Sequence, residues 1–276
     1  MARLKGKFLI GAIGNLTFKK HRKEQIVQTK PGKGGVKQTK ETKKAALVFG
    51  KASRFSNCLR QSFGFLIEDR YDGGMVNRLN KENFAIFKQC YQPETESYEF
   101  KPDSFRRLNG FDFNTKSPLK DSLWVEPSVQ LVGQELQIRI PDFEIPSDFK
   151  FPPHSNICSV ELSIYLLSIE TCYQQQIRLE ALQISNAQKM VPSREWKIEI
   201  PDGCICVTGL ALHYYRNQGN LTVPVNHKEF NPAVIVNATV SNGKFNLPWD
   251  VSWHYAAIRF RPKNQDDLSN QETTSE

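Results

Sequence analysis

The sequence predicts an α+β protein: a basic amino-terminal β-hairpin plus a helical hairpin, followed by an antiparallel, immunoglobulin-like β-sandwich. Apolar residues recur at helical spacing between positions 40 and 90 and alternate with polar residues after position 123. Basic residues concentrate in the first sixty positions. The predicted organisation is a basic hairpin and two-helix segment at 1–92, a linker at 93–122, the sandwich at 123–262 and a disordered acidic tail at 263–276.

The first thirty residues predict short β-strands arranged as a hairpin or small meander. An apolar run at residues 8–10 and an alternating run at residues 16–18 flank the turn pair Gly14-Asn15. A hairpin alone is only marginally stable in water, so we expect it to pack on the rest of the chain or on a neighbouring molecule. Residues 30–39, rich in Gly and Lys, predict a flexible cationic loop.

Two helices are predicted to follow and to pair with each other. The first begins near residue 40, where Thr39 is a candidate cap, and ends near residue 67, and the second covers residues 75–90. Their inward positions recur at helical spacing and are Val48, Ala52, Phe55, Leu59, Phe63 and Leu66 in the first helix and Met75, Val76, Leu79, Ile86, Phe87 and Cys90 in the second.

The later half of the chain predicts β-strands because its apolar residues recur at every second position. About seven strands separated by turn signals are typical of an antiparallel sandwich. The predicted strands cover residues 136–140, 160–166, 177–181, 196–200, 206–214, 234–240 and 251–260.

Charge is distributed unevenly along the chain. The net charge is +8, yet residues 1–60 carry sixteen basic residues and only two acidic ones, Glu24 and Glu41, so the remaining chain is net acidic. Such a block indicates contact with nucleic acid or an acidic protein surface, and the alternative is a solvated basic arm. The candidate polyanion-binding residues are Lys19, Lys20, Arg22, Lys23, Lys40, Lys43, Lys44, Lys51 and Arg54.

Sequence patterns of catalytic and cofactor sites are missing. The phosphate-binding loop pattern fails at Lys37, where it requires a glycine five positions after Gly32. Neither a G-x-S-x-G nucleophile motif nor a dinucleotide-binding glycine pattern after a strand is present. The sequence therefore predicts no catalytic residue and no cofactor, and it favours a structural or binding protein over an enzyme.

The cysteines and histidines predict no metal site. Cys204 and Cys206 with His213 form the one compact group, and it lacks the second ligand pair of a structural zinc site. No cysteines form a C-x-x-C pair, the first residues lack the apolar core of a signal peptide, and no stretch approaches ~20 apolar residues. We expect a cytoplasmic protein with free thiols and no membrane association.

Several short motifs resemble a group of uncharacterised proteins from Bacteroidetes genomes. The resemblance implies a shared architecture and a small structural or mobile-element protein, and it implies no catalytic residues. The motifs that carry it are Met1-Ala2-Arg3-x-Lys5-Gly6, Gly11-x-x-Gly14-x-x-Thr17-Phe18, Phe49-Gly50, Met75-Val76-x-Arg78-Leu79, Gly110-Phe111-x-Phe113-Asn114 and Ile140-Pro141-x-Phe143.

Three functions follow as hypotheses. The first is a non-enzymatic structural or assembly protein, expected to form a homo-oligomer or larger assembly, whose basic part contacts a polyanion or a neighbouring subunit. The second is a sequence-independent nucleic-acid-binding protein. The third is a ligand- or carbohydrate-binding sandwich, which exposure of Trp196, Trp249 and Trp253 would favour and their burial would disfavour.

Overall fold

The computed structural model describes residues 2–30, 39–248, 252–256 and 258–260. It contains helices and antiparallel sheets, so the α+β class is confirmed. The chain divides into two compact units, Met1–Ala46 and Leu47–Glu276, and the division falls inside helix α1 (Lys40–Ser62). Residues 31–38, in the predicted cationic loop, and the predicted tail at 263–276 lie outside the described residues.

The first unit contains a four-stranded antiparallel sheet in the order β1-β2-β3-β4. Each strand pairs with the next along the chain, because tight turns at Gly6, Gly14 and Arg22, all with positive φ, connect them. Of the two predicted arrangements, a hairpin or a small meander, the structure has the meander. Its strands are β1 (Arg3–Lys5), β2 (Phe8–Ile13), β3 (Leu16–His21) and β4 (Glu24–Thr29).

Among its described residues, the second unit contains the rest of α1, two further helices and fifteen further strands. Its elements in chain order are α2 (Gly64–Ile67), α3 (Met75–Cys90), β5 (Tyr91–Gln92), β6 (Ser97–Tyr98), a 3₁₀ turn (Arg106–Leu108), β7 (Phe111–Asp112), a second 3₁₀ turn (Leu119–Asp121), β8 (Ser128–Val132), β9 (Glu135–Ile140), β10 (Phe143–Glu144), β11 (Ile157–Ser168), β12 (Tyr173–Arg178), β13 (Leu182–Ser185), β14 (Met190–Val191), β15 (Arg194–Glu199), β16 (Cys204–Gln218), β17 (Leu221–Pro224), β18 (Ala233–Val240) and β19 (His254–Tyr255).

The two predicted helices are present and pack against each other. Inside their interface the Asn83 amide donates a hydrogen bond to Ser56 Oγ at 2.8 Å, and the rings of Phe55 and Phe87 lie 5.7 Å apart. The first predicted helix is divided into α1 and α2 at Phe63. This residue precedes α2, and its backbone angles are not helical. Of the predicted inward residues of α3, Val76 is only partly buried.

An eight-stranded antiparallel sheet forms the centre of the second unit. Its order is β19-β12-β11-β16-β18-β7, with β13 also paired to β11 and β17 also paired to β16. A separate three-stranded sheet has the order β15-β9-β8, and two short pairs join β10 to β14 and β5 to β6. The central strands β11 and β16 are therefore flanked by strands on both sides.

Two apolar cores lie on opposite faces of the large sheet. One joins the helices to a sheet face that carries Tyr165 and Val207, and the other joins the three-stranded sheet to a face that carries Leu162 and Leu210. Because both faces are covered, β11 is buried almost throughout and β16 is buried from Cys204 to Tyr214. The predicted alternation of apolar and exposed polar positions therefore fails at Ser163, which is fully buried.

The predicted linker contributes to the helix-side core. Phe105, Leu108, Phe111 and Phe113 are all buried there, and the ring of Phe105 lies 5.4 Å from that of Phe55. The structure therefore groups residues 93–122 with the helices and the large sheet in one unit, because their aromatic side chains fill the space between them.

Candidate polyanion-binding surface

Four of the predicted basic residues lie together on one hairpin of the amino-terminal sheet. Lys19 and Lys20 are exposed near the end of β3, and Arg22 and Lys23 form the turn into β4. The register places Lys20 opposite Gln25. Four cationic groups therefore lie within five consecutive positions at one exposed end of the hairpin, and residues 19–23, the last strand residues and the turn, are named the cationic turn.

The aromatic ring of Phe8 holds one of these lysines in place. Lys20 Nζ lies 4.7 Å from the centre of the Phe8 ring, and Lys7 Nζ lies 5.7 Å from the same centre. Ammonium groups are attracted to the face of an aromatic ring at such distances. Phe8 thus attracts the ammonium groups of two lysines to one ring.

Gln25 braces the hairpin against β2. Its Oε1 accepts from the Leu9 amide at 2.8 Å, and its Nε2 donates to the carbonyls of Leu9 and Lys19, both at 3.0 Å. The pairing of β2 with β3 ends at Gly11, so the Gln25 side chain satisfies backbone groups of Leu9 that β3 does not reach. Sequence reasoning missed this residue, because a polar side chain in an exposed strand has no distinctive spacing.

Three further predicted residues lie on the first turns of α1. Lys40, Lys43 and Lys44 are exposed, and Thr39 Oγ1 accepts from the Thr42 amide at 3.1 Å as an amino-terminal cap. The cap predicted from the sequence is therefore present, and it fixes where the cationic part of the helix begins.

Lys51 and Arg54 belong to the second unit and differ from each other. Lys51 Nζ packs over the Tyr98 ring at 4.8 Å, and burial lowers the pKa of its ammonium group. Arg54 is exposed. The structure therefore places Lys51 at the margin of the core, where it contacts an aromatic ring, and leaves Arg54 available to solvent.

The described basic residues among the first sixty positions form no ion pair. Within the described part of the chain, every ion pair lies between residues 68 and 229, and none involves a lysine or arginine before Arg70. The only acidic residues among the first sixty are Glu24 and Glu41. The resulting positive potential is therefore not neutralised within this segment.

Apolar side chains share the amino-terminal sheet with these charges. Ile13 pairs with Leu16 and Phe18 pairs with Val27, so these four side chains project from the same face. Ile13 is 54% and Val27 is 50% exposed. The sheet thus presents a solvent-exposed apolar face beside a cationic turn.

The other groups considered from the sequence do not converge. Cys204 and Cys206 are buried in the core shared with the three-stranded sheet, whereas His213 lies 3.2 Å from the Leu66 carbonyl on the helix side. Trp196 and Trp253 are buried, so they offer no stacking surface, and Trp249 lies outside the described residues.

Comparisons with protein-family models, curated proteins and solved structures gave no match to this chain. Among the described residues, none of the helices has the length and apolar character required to cross a membrane.

Proposed function

We propose that this is a non-enzymatic structural or assembly protein whose basic amino-terminal region binds nucleic acid without reading its sequence. The observation that carries the proposal is the exposed cationic turn at residues 19–23, which has no ion-pair partner in the described structure. Phosphate contacts require positive charge and little else, so such a surface supplies affinity but no base recognition.

The expected strength of this contact follows from the number of charges. If Lys19, Lys20, Arg22 and Lys23 each neutralise one phosphate of a DNA duplex, log affinity falls with log salt concentration at a slope of about −4. Contacts from Lys40, Lys43 and Lys44 steepen that slope further. A slope near zero excludes a phosphate-driven mechanism.

A salt titration of the full chain tests this proposal. Fluorescence anisotropy would follow binding to two labelled 20-base-pair duplexes of unrelated sequence between 50 and 300 mM NaCl. We expect equal affinity for both duplexes and a slope of about −4 or steeper. Absence of binding at 50 mM NaCl, or a strong preference for one sequence, contradicts the proposal.

The apolar face of the amino-terminal sheet supports a second role in assembly. Exposed apolar side chains that share one sheet face are typical of contact surfaces. We propose that this face, built from Ile13, Leu16, Phe18 and Val27, contacts another copy of the chain. Light scattering after size-exclusion chromatography tests this: a concentration-dependent oligomer that Ile13→Ser with Val27→Ser dissociates supports it, and a strict monomer contradicts it.

The proposal also includes the cellular compartment of the protein and the immunoglobulin-like type of its sandwich. Six cysteines that form no disulfide support a reducing, cytoplasmic environment. The packing of two antiparallel sheets around one core supports an immunoglobulin-like sandwich at the carboxy-terminal side. The Bacteroidetes resemblance adds a mobile-element setting, which neighbouring genes for capsid, tail or secretion components would support.

A further inference from the structure

A cleft of about 610 Å³ lies in the second unit where its two largest sheets meet. One side is formed by Asp112 of β7 and by Val234 and Asn237 of β18, at an edge of the eight-stranded sheet. The other side includes Val129 of β8, an edge strand of the three-stranded sheet. Its size lies within the range of small-molecule sites, about 300–1,000 Å³.

Trp124 gives the cleft an exposed aromatic surface. Its side chain is 54% exposed, although its backbone is held in place by a hydrogen bond from its amide to the Asp148 carbonyl at 2.9 Å. The neighbouring Leu123 is bridged to Phe149. A rigid backbone beneath an exposed indole keeps the ring available for stacking at little entropic cost.

Polar groups line the same cleft and have unused hydrogen-bonding capacity. Asn109 accepts the Ala238 amide through Oδ1, and none of the described residues bonds its Nδ2. Asp112 Oδ1 accepts the Leu119 amide at 3.0 Å, and burial raises the pKa of that carboxyl. Neither Asn237 nor Glu126 has a side-chain hydrogen-bond partner among the described residues. Amide donors and carboxylate acceptors therefore line the same cleft as one aromatic ring.

A buried hydroxyl without a partner lies next to these groups. Thr208 is 1% exposed, and its Oγ1 has no hydrogen-bond partner in the described structure. It pairs with Asn237, so both side chains project from the same face of the sheet. An unsatisfied buried polar atom is costly, but Thr208 does not line the cleft, so its hydroxyl is not a contact for an occupant of the cleft.

We propose that this cleft binds a neutral saccharide whose sugar ring stacks on Trp124. The apolar face of a pyranose matches an indole, and its hydroxyls match the amides of Asn109 and Asn237 and the carboxylate of Asp112. Asp112 and Glu126 outweigh Lys120, so the lining disfavours phosphates. The described lining has one aromatic ring, whereas cages for organic cations use several.

A glycan array probed with the labelled full-length protein tests this inference, followed by calorimetric titration with the neutral glycan that gives the strongest signal. The array would be run at 300 mM NaCl, where binding through the basic region is weakened. We expect at least one neutral glycan to bind, and Trp124→Ala to weaken its affinity at least tenfold, with partial rescue by Trp124→Phe. Both tryptophan substitutions change an exposed side chain and are expected to fold.

The matched control is Tyr255→Ala, which removes an exposed aromatic ring that does not line the cleft. It should leave neutral-glycan affinity unchanged. The inference is overturned if no neutral glycan binds, if Trp124→Ala binds as tightly as the native protein, or if only charged glycans bind. The variant with Lys19, Lys20, Arg22 and Lys23 replaced by Gln should bind the neutral glycan normally, which separates this site from the proposed nucleic-acid surface.

Discussion

Arg78 donates a hydrogen bond to Asp72 Oδ2 at 2.5 Å, across the start of α3. The same carboxylate accepts from the Gly74 amide at 2.7 Å and from the amide and hydroxyl of Thr115 at 3.1 and 3.2 Å. Arg78 also donates to the Asp112 carbonyl at 2.9 Å. Asp72 thus connects the beginning of a helix to the chain that follows β7, and its partner Arg78 bonds the backbone of Asp112, which lines the proposed saccharide cleft.

Asp72→Asn should destabilise the protein at neutral pH. Burial alone would raise the pKa of this carboxyl, but hydrogen bonds from Thr115, Arg78 and Gly74 lower it below its ordinary value. Losing the charged acceptor of several bonds should cost about 1–3 kcal/mol at pH 7, as measured by urea unfolding.

The same substitution should also change how stability depends on pH. The pKa of Asp72 is lower in the folded chain, so its stabilising effect is present above its unfolded pKa of about 3.9 and is lost as pH falls through the folded value. The difference between native protein and variant should therefore shrink from pH 6 to pH 3. The exposed Asp142→Asn is the control, and a difference that stays constant with pH contradicts this account.

Gly209→Ala should destabilise the contact between α2 and the large sheet. A Cβ added at Gly209 would lie 2.9 Å from Leu66 Cδ1 and 3.1 Å from Phe63 Cε1, and both side chains are fully buried. We expect a loss of about 1–3 kcal/mol in the free energy of unfolding, because the helix must move away from the strand.

Gly50→Ala is the matched control for that substitution. A Cβ at Gly50 meets no atom within 4 Å, and this residue lies inside α1. Alanine should stabilise the helix by about 0.4–1 kcal/mol. If both alanine variants unfold at the same denaturant concentration, the close approach at Gly209 is not a constraint on packing.

Native thiols should react slowly with Ellman's reagent. All six cysteines are free, and five of them, including Cys90 and Cys158, are buried, while Cys58 is partly buried. Burial raises the pKa of the Cys206 thiol to about 12, so the reactive thiolate is scarce at pH 8. We expect no more than one fast-reacting thiol in the native protein and six in guanidinium chloride. Two or more fast native thiols contradict the described packing.

The sequence predicts the bounds of the helices better than it predicts which strand faces are buried. The bounds of α3 and the Thr39 cap of α1 follow from spacing and local chemistry, which act within a few residues. The near-complete burial of β11 could not be predicted, because its second face is covered by helices distant in the sequence. For the same reason the sequence predicts a linker where the aromatic residues at 105–113 enter the helix-side core.

The candidate site residues show the same difference between local features, which the sequence predicts, and tertiary contacts, which it does not. The cationic run at residues 19–23 can be read from the sequence, because the charge of a lysine or arginine follows from its residue type alone. The contacts of Lys51 with Tyr98 and of Lys20 with Phe8 depend on tertiary structure and strand pairing. Trp124 was missed because a single tryptophan in an irregular segment carries no spacing, and only the fold places it beside Asp112 and Asn237.

The most direct test of nucleic-acid binding compares two full-length variants with equal changes in charge. One replaces Lys19, Lys20, Arg22 and Lys23 with Gln, and the other replaces four exposed lysines of the second unit, Lys81, Lys88, Lys189 and Lys244, with Gln. The measurement is the slope of log affinity for duplex DNA against log NaCl concentration. We predict that the first variant makes the slope shallower by about 4 and that the second leaves it nearly unchanged. Equal effects of the two variants would show that total charge, rather than the amino-terminal turn, determines binding, and would contradict the account.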